Sequence, residues 1–124
     1  MPLKKNSPAF EALAHAAKGL VWVSDSEAPF EAFSWPAGPL SEAEVRQHAG
    51  VHPDTAVETM SLDDFLYAVP GEHKPKFDKL VAVLKQMPGV NVYKVGDQAG
   101  HKLFIVGRSF DGSWVGVKTT AVES

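Results

Sequence analysis

The chain contains no cysteine, which excludes disulfide frameworks, thiolate metal sites and cysteine nucleophiles together. A fold without cross-links is held by its core alone, and a reducing cytoplasm suits it. Long apolar runs are also missing. The longest, among them 19–23 and 80–84, span five residues each, against the roughly 20 that a membrane helix needs. Lys4 and Lys5 are followed by polar or mixed residues, so neither a signal peptide nor a membrane span is expected. A basic excess is absent as well. Twelve Lys and Arg against fifteen Asp and Glu leave a formal net charge of -3, a field that mildly repels phosphate backbones and disfavours direct nucleic-acid binding. No low-complexity tract or internal repeat breaks the pattern, so the expectation is a single domain over residues 1–124.

What is present divides into helical signals first and strand signals last. Ser7-Pro8 opens a segment with apolar residues at Phe10, Leu13, Ala14 and Ala17, closed by Lys18-Gly19; a cap, a first-turn proline and a terminal glycine frame a short amphipathic helix. Residues 30–35 alternate Phe33 and Trp35 against Glu31 and Ser34, a strand with one wetter face, and Pro36-Ala37-Gly38-Pro39 ends it. Ser41-Glu42-Ala43-Glu44 has capping-box spacing, and Gly50 supplies a stop for a second helix. A strand is expected at 56–60, then a helix from Ser61-Leu62-Asp63-Asp64 to Pro70-Gly71. Phe77, Leu80, Val81, Leu84 and Met87 recur at helical spacing, which predicts a helix over 76–87 stopped by Pro88-Gly89. Residues 90–95, 102–108 and 113–120 then alternate, separated by Asp97-Gln98-Ala99-Gly100 and Asp111-Gly112, an antiparallel meander. The fold class is therefore α+β, with helices covering a mostly antiparallel sheet.

Most of the chemistry-bearing residues read as ordinary structure. His48 and His52 have the spacing of two ligands on one helical face, but Gly50 and Pro53 interrupt that face and no carboxylate completes a set. His15, His73 and His101 stand apart. Ser24 and Ser26 lack the glycine-flanked elbow of a nucleophilic serine. Gly96, Gly100 and Gly107 have neither the lysine of a phosphate loop nor a dinucleotide fingerprint. No enzymatic activity and no cofactor are expected. Trp22, Trp35 and Trp114 sit among apolar neighbours at strand-like positions, where core packing accounts for them.

The acidic groups are different. Asp25, Glu27 and Glu31 fall within seven residues that include no Lys or Arg. They lie in a serine-flanked turn, Ser24-Asp25-Ser26-Glu27, between the apolar runs Leu20-Val21-Trp22-Val23 and Phe30 to Trp35. The chain ends Glu123-Ser124 with a free carboxylate. If the two regions meet, one surface gathers at least four negative charges.

These same residues resemble the bacterial nuclease A inhibitor family. The first block of likeness runs from Gly19-Leu20 through Ser24-Asp25-Ser26-Glu27 to Pro29-Phe30-Glu31, Phe33 and Trp35. The second comprises Val92-Tyr93-Lys94-Val95-Gly96, Val106-Gly107, Gly116-Val117-Lys118-Thr119 and Val122-Glu123-Ser124. The resemblance implies a three-layer α-β-α sandwich. It also implies a cytoplasmic inhibitor of a sugar-non-specific, magnesium-dependent endonuclease of the ββα-metal type, bound one to one by a monomer. By position, Asp25 would be directed at the partner's magnesium and Ser124, with its free carboxylate, would make a further contact. Ser24, Glu27, Glu31 and Glu123 complete the partner-binding set, with Glu27 and Glu31 steering association. Trp22, Phe30, Phe33 and Trp35 are expected to pack behind the turn, so that little ordering entropy is lost on binding. Two differences from the family stand out. Asp25 occupies a glutamate position, and Pro70-Gly71-Glu72-His73-Lys74-Pro75 is shorter than the inhibitor's connection, which carries an aromatic and acidic insertion. Readings that keep the fold but change the role are an interaction module for another protein and a domain binding a small ligand between sheet and helices.

Overall fold

A computed structural model describes residues 8–23, 27–69, 71–96, 100–109 and 112–122. Helix α1 (Pro8–Ala17) leads through Gly19, at φ 80°, into a hairpin of β1 (Val21–Val23) and β2 (Glu27–Pro29). Strand β3 (Glu31–Trp35) follows at once, then α2 (Glu42–Ala49), β4 (Val57–Ser61) and α3 (Leu62–Ala68). A 3-10 turn at Lys74–Phe77 runs into α4 (Asp78–Leu84), and β5 (Asn91–Gly96), β6 (Gly100–Arg108) and β7 (Trp114–Val122) close the fold.

The helix ends follow the local chemistry. The backbone N–H of Ser41 donates to Glu44 Oε1 at 2.9 Å, and the Ser41 hydroxyl donates to the same carboxylate. Together these bonds hold the Glu44 carboxyl below its ordinary value, the hydroxyl contributing most. Gly50 then takes a left-handed conformation at φ 72°, its N–H returning to the helix carbonyls. At α3 the Ser61 hydroxyl accepts from the Asp64 N–H at 3.0 Å. Helix α4 is shorter than the 76–87 stripe predicts. Its first turn is 3-10, and after Leu84 the N–H groups of Gln86 and Met87 bond three residues back, to Val83 and Leu84, tightening the end ahead of Gly89 at φ 65°.

The five-stranded sheet has the order β3-β7-β6-β5-β4, and each pairing is antiparallel. Side-chain alternation sends Val92, Leu103, Ile105, Val115 and Val117 to one face, where Leu13, Phe65, Phe77, Leu80 and Leu84 from α1, α3, the 3-10 turn and α4 complete the larger core. The opposite face carries Phe33, Trp35, Tyr93, Val95, Phe104 and Val106, under Val45 of α2. The fold is thus α+β with helical residues packed on both faces of one antiparallel sheet. Among the described residues, no helix is long and apolar enough to cross a membrane.

Candidate partner-binding site

The β1–β2 hairpin is two rungs and a closing pair: Val21 opposite Pro29, Trp22 opposite Ala28, and Val23 opposite Glu27. Strands this short carry little intrinsic stability, so the brace must come from outside. It comes from aromatic rings. Trp22 stacks on Phe65 of α3 at 5.3 Å and 26°, and meets Phe30 and Phe77 edge-on at 6.4 Å each. Phe30 and Phe77 close the ring at 5.7 Å and 89°. The Phe30 N–H adds a bond to the Leu20 carbonyl at 3.0 Å, extending the ladder below the strands.

The expected four-ring base is corrected by this arrangement. Trp22 and Phe30 do stand behind the hairpin, but Phe33 and Trp35 belong to the opposite face. There they pack on each other at 4.6 Å and on Phe104 at 5.6 and 5.1 Å. Their place in the hairpin's base is taken by Phe65 and Phe77, which lie far along the chain. Phe77 belonged to the helical stripe of 77–87 and Phe65 to the helix expected from Ser61, but no local signal tied either to residue 22.

Glu27 and Glu31 are both exposed. Glu31 was read against Phe33 and Trp35, yet it shares their parity and lies at the end of that face. Its register partner on β7 is Lys118, a cation that residues 25–31 do not contain, so the negative charge at Glu31 has a basic neighbour. Ser24, Asp25, Glu123 and Ser124 lie outside the described residues, as do Ser7, Ser26, Pro70, the 97–99 stretch and Asp111.

Strand β3 is antiparallel to β7 with Glu31 opposite Lys118, so moving back along β3 and forward along β7 follows one course. The Thr119 hydroxyl donates to the Ala28 carbonyl at 3.3 Å, tying the hairpin to β7. Strand β7 continues to Val122, opposite Gly100.

The histidines do other things. His48 stacks on Trp35 at 4.9 Å and 16°, and His52 Nδ1 accepts from the Asp54 N–H at 3.1 Å. Among the described residues no cluster of three His, Asp or Glu is placed to hold a metal ion. Trp114 packs at the edge of the second core, its Nε1 donating to the Gly38 carbonyl at 2.9 Å, with Arg108 over its ring at 4.2 Å.

These features define an α+β fold whose β1–β2 hairpin is braced by aromatic rings. The profile of the nuclease A inhibitor-like protein family matches residues 7–124, and the chain belongs to that family. No curated protein sequence gives a significant match. The family is of inhibitor type, and it points to a nuclease as partner.

Proposed function

We propose that the protein inhibits a magnesium-dependent, sugar-non-specific endonuclease of the ββα-metal type by occupying its active site, as a monomer in a one-to-one cytoplasmic complex. A nuclease that cuts without reading bases holds its substrate through basic side chains and a hard cation, and a rigid carboxylate-bearing turn competes for both. In this reading Asp25 is directed at the partner's magnesium, Ser124 contributes its terminal carboxylate, and Ser24 and Glu123 make adjoining contacts. Glu27 and Glu31 speed encounter with the basic rim of the cleft.

The family match over residues 7–124 carries the reading. Two features of the described chain support it. The hairpin is pre-organised by the rings of Trp22, Phe30, Phe65 and Phe77, which lowers the ordering cost of binding. The Thr119 hydroxyl bonds the hairpin to β7 at the Ala28 carbonyl, and β3, which follows the hairpin, runs antiparallel to β7.

The test is a cleavage assay in which a purified nuclease of this type digests plasmid DNA or RNA with increasing amounts of the protein. Cleavage of both substrates stops near one equivalent, and a peptide tag appended after Ser124 weakens the effect. Undiminished cleavage at a large excess, across nucleases of this type, contradicts the proposal.

A further inference from the structure

A cavity of about 320 Å³ opens on the second face of the sheet, beside the C-terminal end of α2. That volume lies at the lower end of the roughly 300–1,000 Å³ typical of small-molecule sites. Its apolar side is aromatic. Phe104 and Trp35 line it from the sheet, and His48, stacked on Trp35, lines it from the helix.

Its polar side is cationic in an otherwise acidic chain. Lys102 and Lys118 both line the cavity, with Glu31 as the single carboxylate among the described lining residues. The β6–β7 register sets Phe104 opposite Lys118 and Lys102 opposite Thr120, which makes the two lysines diagonal neighbours on one face. Diagonal positions are about 7–8 Å apart, within reach of long side chains converging on one group. Lys102 Nζ donates to the Ala49 carbonyl at 3.2 Å, which fixes its head at the rim while an ammonium keeps further donors. Among the described residues no ion pair within 4.0 Å joins Lys118 to Glu31 or to any other carboxylate. Another hollow beside α2, of about 450 Å³, lacks this combination. The one cation among its described lining residues, Arg46, is already held by the Thr55 carbonyl at 2.5 Å and by Glu42 at 3.7 Å.

We propose that this cavity is a binding site for a small aromatic monoanion, its carboxylate between Lys102 and Lys118 and its ring against Phe104 and the Trp35–His48 pair. The net single positive charge of the two lysines and Glu31 matches one carboxylate. The site borders the surface proposed for the nuclease, with Glu31 common to both, and it is tested without a nuclease.

The experiment is a ¹⁵N-detected NMR titration of the intact protein with 1-naphthoate, alongside 1-naphthalenemethanol and 1-naphthylmethylammonium as neutral and cationic probes. Naphthoate saturates below about 1 mM, shifting amides around His48, Lys102, Phe104 and Lys118, while the other two probes bind more weakly. Lys102→Met and Lys118→Met each weaken naphthoate about tenfold, and Glu31→Gln strengthens it, with thermal melts of all three close to that of the parent. Failure to saturate below about 1 mM, equal binding of the three probes, shifts centred elsewhere, or unchanged affinity in both lysine variants would each overturn the proposal.

Discussion

If the hairpin is held by aromatic packing, the energies of Trp22 and Phe65 must be coupled. Phe65 is buried, and truncating such a ring to alanine costs about 3–5 kcal/mol. Trp22 is only half-buried, which brings its cost down to about 2–3 kcal/mol. At about 2.1 cal/mol/K of unfolding entropy per residue, 124 residues give about 0.26 kcal/mol/K, so Trp22→Ala lowers Tm by about 8–12 °C. The stack at 5.3 Å and 26° predicts that the double variant loses less than the sum of the single losses by about 0.5–1.5 kcal/mol. Urea denaturation of the parent, Trp22→Ala, Phe65→Ala and the double variant measures it. Trp22→Phe retains most of the stability, because a ring still faces Phe65. Inhibition by Trp22→Ala weakens even where the variant is fully folded, since a loosened hairpin must be ordered on binding. Single effects that add to within about 0.3 kcal/mol would refute the brace.

Three further outcomes follow from other parts of the fold. A Cβ at Gly116 would overlap the carbonyl oxygen of Ile105 on the neighbouring strand, so Gly116→Ala loses more than about 3 kcal/mol in denaturant unfolding. Glu44 has a folded-state pKa below its ordinary 4.5. Its contribution to stability is therefore intact above that value and fades as the pH falls through the lowered one; Glu44→Gln flattens this part of the acid stability profile, read by thermal melts from pH 6 downward. Glu27→Gln slows association with the nuclease at low salt and leaves dissociation nearly unchanged, as stopped-flow binding at two ionic strengths will show.

Local chemistry made much of this fold legible. Caps and stops worked because they act within a few residues: Ser41 with Glu44 and Gly50 framed α2, and Ser61 with Asp64 opened α3. The strands through 90–120 were equally readable from their β-branched and aromatic residues and the turn residues between them, although burial of both faces makes stretches such as Leu103 to Val106 continuously apolar. The β1–β2 hairpin was harder, because three-residue strands are too short to show a period. The allocation of rings between faces was also hidden. Phe33 and Trp35 follow the hairpin closely in sequence, but strand parity turns them away from it, and the rings that replace them come from α3 and the 3-10 turn. For the same reason Glu31 looked part of an acidic run until the β3–β7 register set Lys118 opposite it. The acidic turn itself was conspicuous in the sequence as charge without compensation, and the family match adds the kind of partner such a turn would meet.

The most direct measurement is the inhibition constant of Asp25→Ala against a magnesium-dependent, sugar-non-specific nuclease, set beside that of the parent and of Asp25→Glu. A carboxylate directed at the metal predicts a loss of at least about 30-fold, or 2 kcal/mol, for the alanine variant. It predicts that glutamate retains inhibition. An alanine variant that inhibits as tightly as the parent contradicts the account.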